Sequence, residues 1–77
     1  MDLMKTLTKR LNEKGYDVDK VKEYNEKFKC VVIERKTGFR FRVEVPKSLQ
    51  LIYMNRFINV CIIDCIDAAK LCGFKGD

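Results

Sequence analysis

Apolar residues in the first stretch of the chain recur every four positions: Leu3, Leu7 and Leu11, with Met4 alongside. That spacing lays one apolar stripe along an α-helix and predicts a helix over residues 2–14. Asp2 offers a capping carboxylate at its start, and Lys14-Gly15 is a stop signal. Lys5, Lys9, Arg10 and Lys14 fall on the other side, so this helix should be basic outward.

From residue 16 the period changes to two. Residues 16–24 alternate weakly and predict an edge strand, and Asn25-Glu26 suits a turn. Residues 27–35 predict a firmer strand, with Phe28, Cys30 and Val32 on one face and Lys27, Lys29, Val31, Ile33 and Arg35 on the other. Lys36-Thr37-Gly38 makes a short hairpin connection with glycine where a positive φ is needed. Residues 39–45 alternate strictly, Phe39, Phe41, Val43 and Val45 inward and Arg40, Arg42 and Glu44 outward. Pro46 ends the sheet and is expected to open a helix, since its missing N–H is not needed in a first turn. Residues 47–72 then predict one continuous helix, stopped by Gly73. The order α-β-β-β-α predicts one small α+β domain over residues 1–77: a three-stranded antiparallel sheet with two helices on one face, the C-terminal helix being long.

On a wheel of about 100° per residue, the main apolar arc of helix 47–72 holds Met54, Phe57, Ile58, Val60, Cys61, Ile62, Cys65, Ala68, Ala69, Leu71 and Cys72, with Leu51 and Tyr53. Ile52, Ile63 and Ile66 fall outside it, among Asn55, Arg56, Asn59, Asp67 and Lys70. Three aligned isoleucines with a polar rim have the look of a small interface. A homodimer seam through Ile52, Arg56, Asn59, Ile63 and Ile66 is therefore expected, with Arg56 and Lys70 meeting Asp64 or Asp67 across a two-fold axis. The alternative is that the first helix, or the tail with Phe74, covers the strip within one molecule. Gln50, Asn55, Arg56, Asn59 and Asp64 interrupt the segment too often for a membrane span.

Composition sharpens this picture in three places. The chain has 77 residues, 47% of them hydrophobic, which is a large share for a domain able to bury only about 60% of its unfolded surface. The net charge is +5, from 16 Lys and Arg against 11 Asp and Glu, and residues 1–45 carry most of the excess. The start, Met1-Asp2-Leu3-Met4-Lys5-Thr6, lacks the apolar core of an export signal, so a cytoplasmic protein with reduced thiols is expected. Cys61, Cys65 and Cys72 share the main apolar arc and Cys30 faces inward on its strand, so all four thiols should be buried. Paired C-x2-4-C knuckles of the kind that hold zinc are lacking, and no metal or other cofactor is expected.

The chain has no histidine, the commonest general base and the usual partner of a cysteine or serine nucleophile. No phosphate-cradling glycine loop is present. Asp17-x-Asp19 lacks the rest of a calcium loop and reads as solvated charge, and Asp64 and Asp67 read as surface salt-bridging groups. No catalytic residue and no small-molecule substrate are expected.

One constellation carries chemistry. Lys27, Lys29, Arg35, Arg40 and Arg42 gather on the outward sheet face, with Lys36 in the turn and Val31 and Ile33 between them. Such a ribbon suits an acidic protein surface, or phosphates and base edges of a nucleic acid. Strand lysines and arginines also guard sheet edges against aggregation. The element order resembles the double-stranded-RNA-binding domain in topology, whose RNA contacts lie on helices, a loop and a Lys-rich start of the second helix. Here that start reads Pro46-Lys47-Ser48-Leu49-Gln50-Leu51, with one lysine. In general style the chain is also similar to small phage or mobile-element accessory proteins, including inhibitors. The expectation is a non-enzymatic, self-associating interaction module that offers its basic sheet face to an acidic partner. The rival is a nucleic-acid-binding regulator using the same face.

Overall fold

The computed structural model describes residues 2–73. Helix α1 spans Leu3–Glu13, and the strands are β1 (Tyr16–Glu23), β2 (Lys27–Glu34) and β3 (Arg40–Pro46). The strands pair antiparallel in the order β1-β2-β3, so β2 is central and β1 and β3 are edges. A C-terminal helix, α2, runs over residues 51–71. The α+β architecture with a three-stranded antiparallel sheet is the one the alternation of periods predicts.

The local signals act as their chemistry requires. Asp2 caps α1, its Oδ1 accepting from the Met4 amide at 3.0 Å and the Lys5 amide at 3.4 Å. Gly38 turns the β2–β3 hairpin at φ +75°, a backbone shape that a side chain would oppose.

Both helices pack on one sheet face. Met4, Leu7 and Leu11 of α1 meet Cys30 and Val32 of β2, Val43 and Val45 of β3, and Met54, Ile58, Ile62 and Ile66 of α2 in one core. Leu7, Leu11, Val32, Val45 and those last four residues are sealed from solvent. Burying side chains of this size stabilises by roughly 1.5–3 kcal/mol each.

Helix α2 departs from the expected rod in two ways. It begins at Leu51 rather than at residue 47. The Lys47 amide still donates to Glu26 O, extending the β-sheet side, and the Leu49 amide closes a turn onto Pro46 O. Leu49 packs on the core from that turn, so a helix from residue 47 would lose this contact. It is also not uniform. A 3₁₀ turn (Leu51–Tyr53) leads into α-helix (Met54–Phe57), then a π segment (Ile58–Ile63), then α-helix again (Asp64–Leu71). The Asp64 amide accordingly donates to Asn59 O, five residues back.

The π segment decides which face is buried. In a plain α-helix each four-residue step overshoots a full turn by about 40°, so the row 54-58-62-66 would spiral off the sheet. An i→i+5 turn holds about one residue more and winds back. Met54, Ile58, Ile62 and Ile66 therefore stay in line and all are buried. Two polar ties fix the rotation. Arg10 Nη1 donates to Asn55 Oδ1 at 3.1 Å, and Lys70 Nζ reaches Glu34 Oε1 at 2.7 Å. The Lys70 ammonium, with the Thr37 hydroxyl, holds the Glu34 carboxyl below the usual carboxylate range.

Candidate interaction surfaces

The isoleucine strip expected on α2 does not form. Ile66 lies sealed in the core, Ile63 is half-buried against it, and only Ile52 is open, at 81%. The constant-turn wheel misplaces Ile66 because it omits the π segment. Arg56 and Asn59 are exposed as expected, while Lys70 is engaged with Glu34 and, at 3.9 Å, with Asp67. Phe74, the other candidate cover for the strip, lies outside the described residues.

Of the arc expected to be core, Met54, Ile58 and Ile62 are sealed, while Val60, Cys61, Cys65, Ala68, Leu71 and Cys72 face solvent. Arg56, Val60, Asp64 and Ala68, each two residues from a buried position, form the outward row of α2. Cys61, Cys65 and Cys72 are exposed beside that row, and Leu71 is 90% open. The expectation of buried thiols thus holds only for Cys30, 3% exposed and pushed up to about 11 by desolvation. A thiol reagent at neutral pH should label Cys61, Cys65 and Cys72 promptly and Cys30 only when the chain opens. Mass spectrometry of partly labelled protein would count them, and four equally fast thiols would contradict this packing.

Among the described residues no helix packs on the opposite sheet face. Antiparallel register puts Asp17, Ile33 and Arg40 in one cross-strand row, Asp19, Val31 and Arg42 in the next, and Lys22, Lys29 and Glu44 in a third. Lys27 stands opposite Pro46 at the end of the same face. The predicted cations are therefore brought together, with Arg35 and Lys36 at the hairpin end. Val31 is 6% exposed yet stands outside the helix-covered core, so its neighbours on this outer face are what cover it.

The face is less purely basic than its lysines and arginines suggest. Arg35 Nε meets Asp17 Oδ1 at 3.0 Å, and Arg40 Nη2 meets Asp19 Oδ2 at 3.6 Å. Glu44 takes Lys27 at 3.0 Å and Lys29 at 3.9 Å. The Lys27 hydrogen bond and charge hold the Glu44 carboxyl below its ordinary range, so it is ionised at neutral pH. Asp17 and Asp19 are thus ion-pair partners. Among the described residues no group of three His, Cys, Asp or Glu is placed to hold a metal ion. No helix among them is long and apolar enough to cross a membrane.

Two cations of this surface escape a strict strand reading. Lys20 and Val21 together oppose the single residue Cys30, a β-bulge between the pairs Asp19–Val31 and Lys22–Lys29. Lys20 takes φ +52° there, and its amide donates to Asp19 Oδ1 at 2.9 Å. The extra residue turns Lys22 to the same face as Asp19. The available signal is the three-residue step from Val18 to Val21, which breaks alternation. Lys20, Lys22, Tyr24, Lys29, Val31, Arg42 and Glu44 line a hollow of about 450 Å³. The chain matches no protein-family model, no curated protein and no solved structure.

Proposed function

We propose that the protein is a non-enzymatic interaction module whose open sheet face docks onto an acidic protein surface. One observation carries this reading: with both helices on one side, the sheet leaves a face where cations outnumber carboxylates around the part-exposed Ile33, with Val31 sealed beside it. An apolar centre in a charged rim is the anatomy of a protein interface, and the excess positive charge fits a negative partner. The interleaved Asp17, Asp19 and Glu44 favour this over nucleic acid. A phosphate backbone would meet three carboxylates on the surface it has to approach, and Lys27, Lys29, Arg35 and Arg40 are among the cations that already hold intramolecular partners.

Salt dependence tests the choice. Binding to duplex DNA is expected to be weak, with a shallow slope of log affinity against log salt, below about 3, because few condensed cations are released. An acidic peptide alternating glutamate and leucine should bind more tightly than poly-L-glutamate, since only the former offers apolar side chains to Ile33, which is part-exposed. A DNA slope of about 5 or steeper, with no peptide binding, would transfer the face to the nucleic-acid regulator reading.

A second surface supports self-association on different residues from the isoleucine strip. Val60, 52% exposed, lies midway between Arg56 and Asp64 on the outward row of α2. Two copies crossing antiparallel at Val60 would pair Arg56 of each with Asp64 of the other, which is the self-complementarity of a two-fold contact. Sedimentation of wild type and Val60→Glu should then show a dimer turned into a monomer. A wild-type monomer at high concentration ends this reading.

A further inference from the structure

We propose that the hollow beside the β1 bulge is an oxyanion subsite, which takes one doubly charged oxygen-bearing group of the partner; this rests on the reading of the sheet face as a docking surface. Lys22 and Lys29 are directly opposed across β1 and β2, on the same face. Like charges in that relation repel, and the arrangement weakens the sheet unless an anion joins them. Lys20 adds a third ammonium from a left-handed backbone position that a lysine adopts only under strain. Arg42 enters from β3, and its fork of N–H donors suits an oxyanion. Glu44 on the rim offsets only part of this charge: its carboxylate holds Lys27 at 3.0 Å and Lys29 at 3.9 Å, and it shares the hollow with Lys20, Lys22 and Arg42 as well. The Lys29 ammonium also lies 5.4 Å from the centre of the Tyr24 ring, which keeps it at the mouth of the hollow.

Edge protection explains part of this. Lysines and bulges are both devices that stop an edge strand from pairing with another chain, and β1 is an edge. It does not explain Lys29, which stands on the central strand. Two unfavourable features, the opposed lysines and the left-handed Lys20, coincide at a concavity of this face that Val31 helps to line. Strain concentrated at a concave charged spot is what a binding site retains.

The test is a titration of the full chain, followed through backbone amide resonances, with phosphate, sulfate and glutarate at constant ionic strength. Saturable shifts are expected at residues 19–23, 29–31 and 42–44. Lys22→Gln and Lys29→Gln should each raise the half-saturating concentration about fivefold or more, and Lys36→Gln, out in the hairpin turn, should not. Tighter phosphate and sulfate would mark a phosphorylated or sulfated group as the natural occupant, and tighter glutarate would mark paired carboxylates. Linear, unsaturated shifts spread over all lysines, or saturation unmoved by Lys22→Gln and Lys29→Gln, would overturn the subsite. The glutamate–leucine peptide separates the two readings: if it binds while no small oxyanion does, the subsite fails and the docking face stands. If small oxyanions saturate the hollow while the peptide does not bind, the acidic-protein reading fails and the subsite remains.

Discussion

Ile66→Glu is expected to leave the chain unfolded, while Ile52→Glu changes its stability by less than about 0.5 kcal/mol. Both isoleucines were candidates for the same exposed strip, yet one is sealed and the other is 81% open. A carboxylate at Ile66 would sit among apolar side chains with no partner, whether ionised or protonated, and such burial costs more than about 4 kcal/mol. A domain of 77 residues stands near the lower end of the usual range of about 5–15 kcal/mol, so little stability would remain. The helix cannot rotate to relieve it, because Met54, Ile58 and Ile62 share the row and would leave the core together. Ile66→Ala offers a gentler version, with a loss of about 2–5 kcal/mol from the cavity. Urea denaturation followed by circular dichroism measures all three. Equal tolerance of glutamate at both positions would mean that α2 presents a different face to the sheet.

That contrast also shows why the sheet was legible in the sequence and the face of the helix was not. A strand has a period of two with no free parameter, so Phe41, Val43 and Val45 against Arg40, Arg42 and Glu44 decide their own sides. Asp2, Gly15 and Gly38 mark boundaries by backbone chemistry that acts locally. A helix reading instead multiplies an assumed turn angle over many residues. Across residues 51–71 the angle changes three times, and each change carries the error forward. The residues themselves hint at the outcome. Met54, Ile58, Ile62 and Ile66 are the long, flexible or branched side chains at an unbroken four-residue spacing, whereas the exposed arc gathers smaller ones: Val60, Cys61, Cys65 and Ala68. Over residues 54–68 volume separates the buried row from the open one, because a core between one sheet and one short helix needs filling; at the helix ends Ile52 and Leu71 are large and open all the same.

The sheet face divides in the same way. Alternation places Lys27, Lys29, Arg40 and Arg42 on one side, but their partners depend on register. Asp19 meets Arg40 diagonally only because the bulge lies after residue 19 rather than before it. Lys22 reaches that face for the same reason, and a rigid alternation from Tyr16 would have turned it inward.

Arg42→Glu and Glu44→Gln should therefore move affinity for the acidic glutamate–leucine peptide in opposite directions. Arg42→Glu removes a cation at the centre of the face, beside Val31, and puts a carboxylate where the peptide's own charge must approach. A loss of about tenfold or more is expected at low salt. Glu44 is a built-in competitor: it is ionised at neutral pH and occupies Lys27 and Lys29, the cations the peptide would use. Replacing it by glutamine keeps the shape and releases both, so affinity should rise about two- to fivefold, an effect that fades as salt screens the face. Neither change touches the helix-packed core, so the urea midpoints should stay close to wild type. If Glu44→Gln weakens binding as much as Arg42→Glu does, the carboxylate is a contact and not a competitor, and the partner's surface cannot be predominantly acidic.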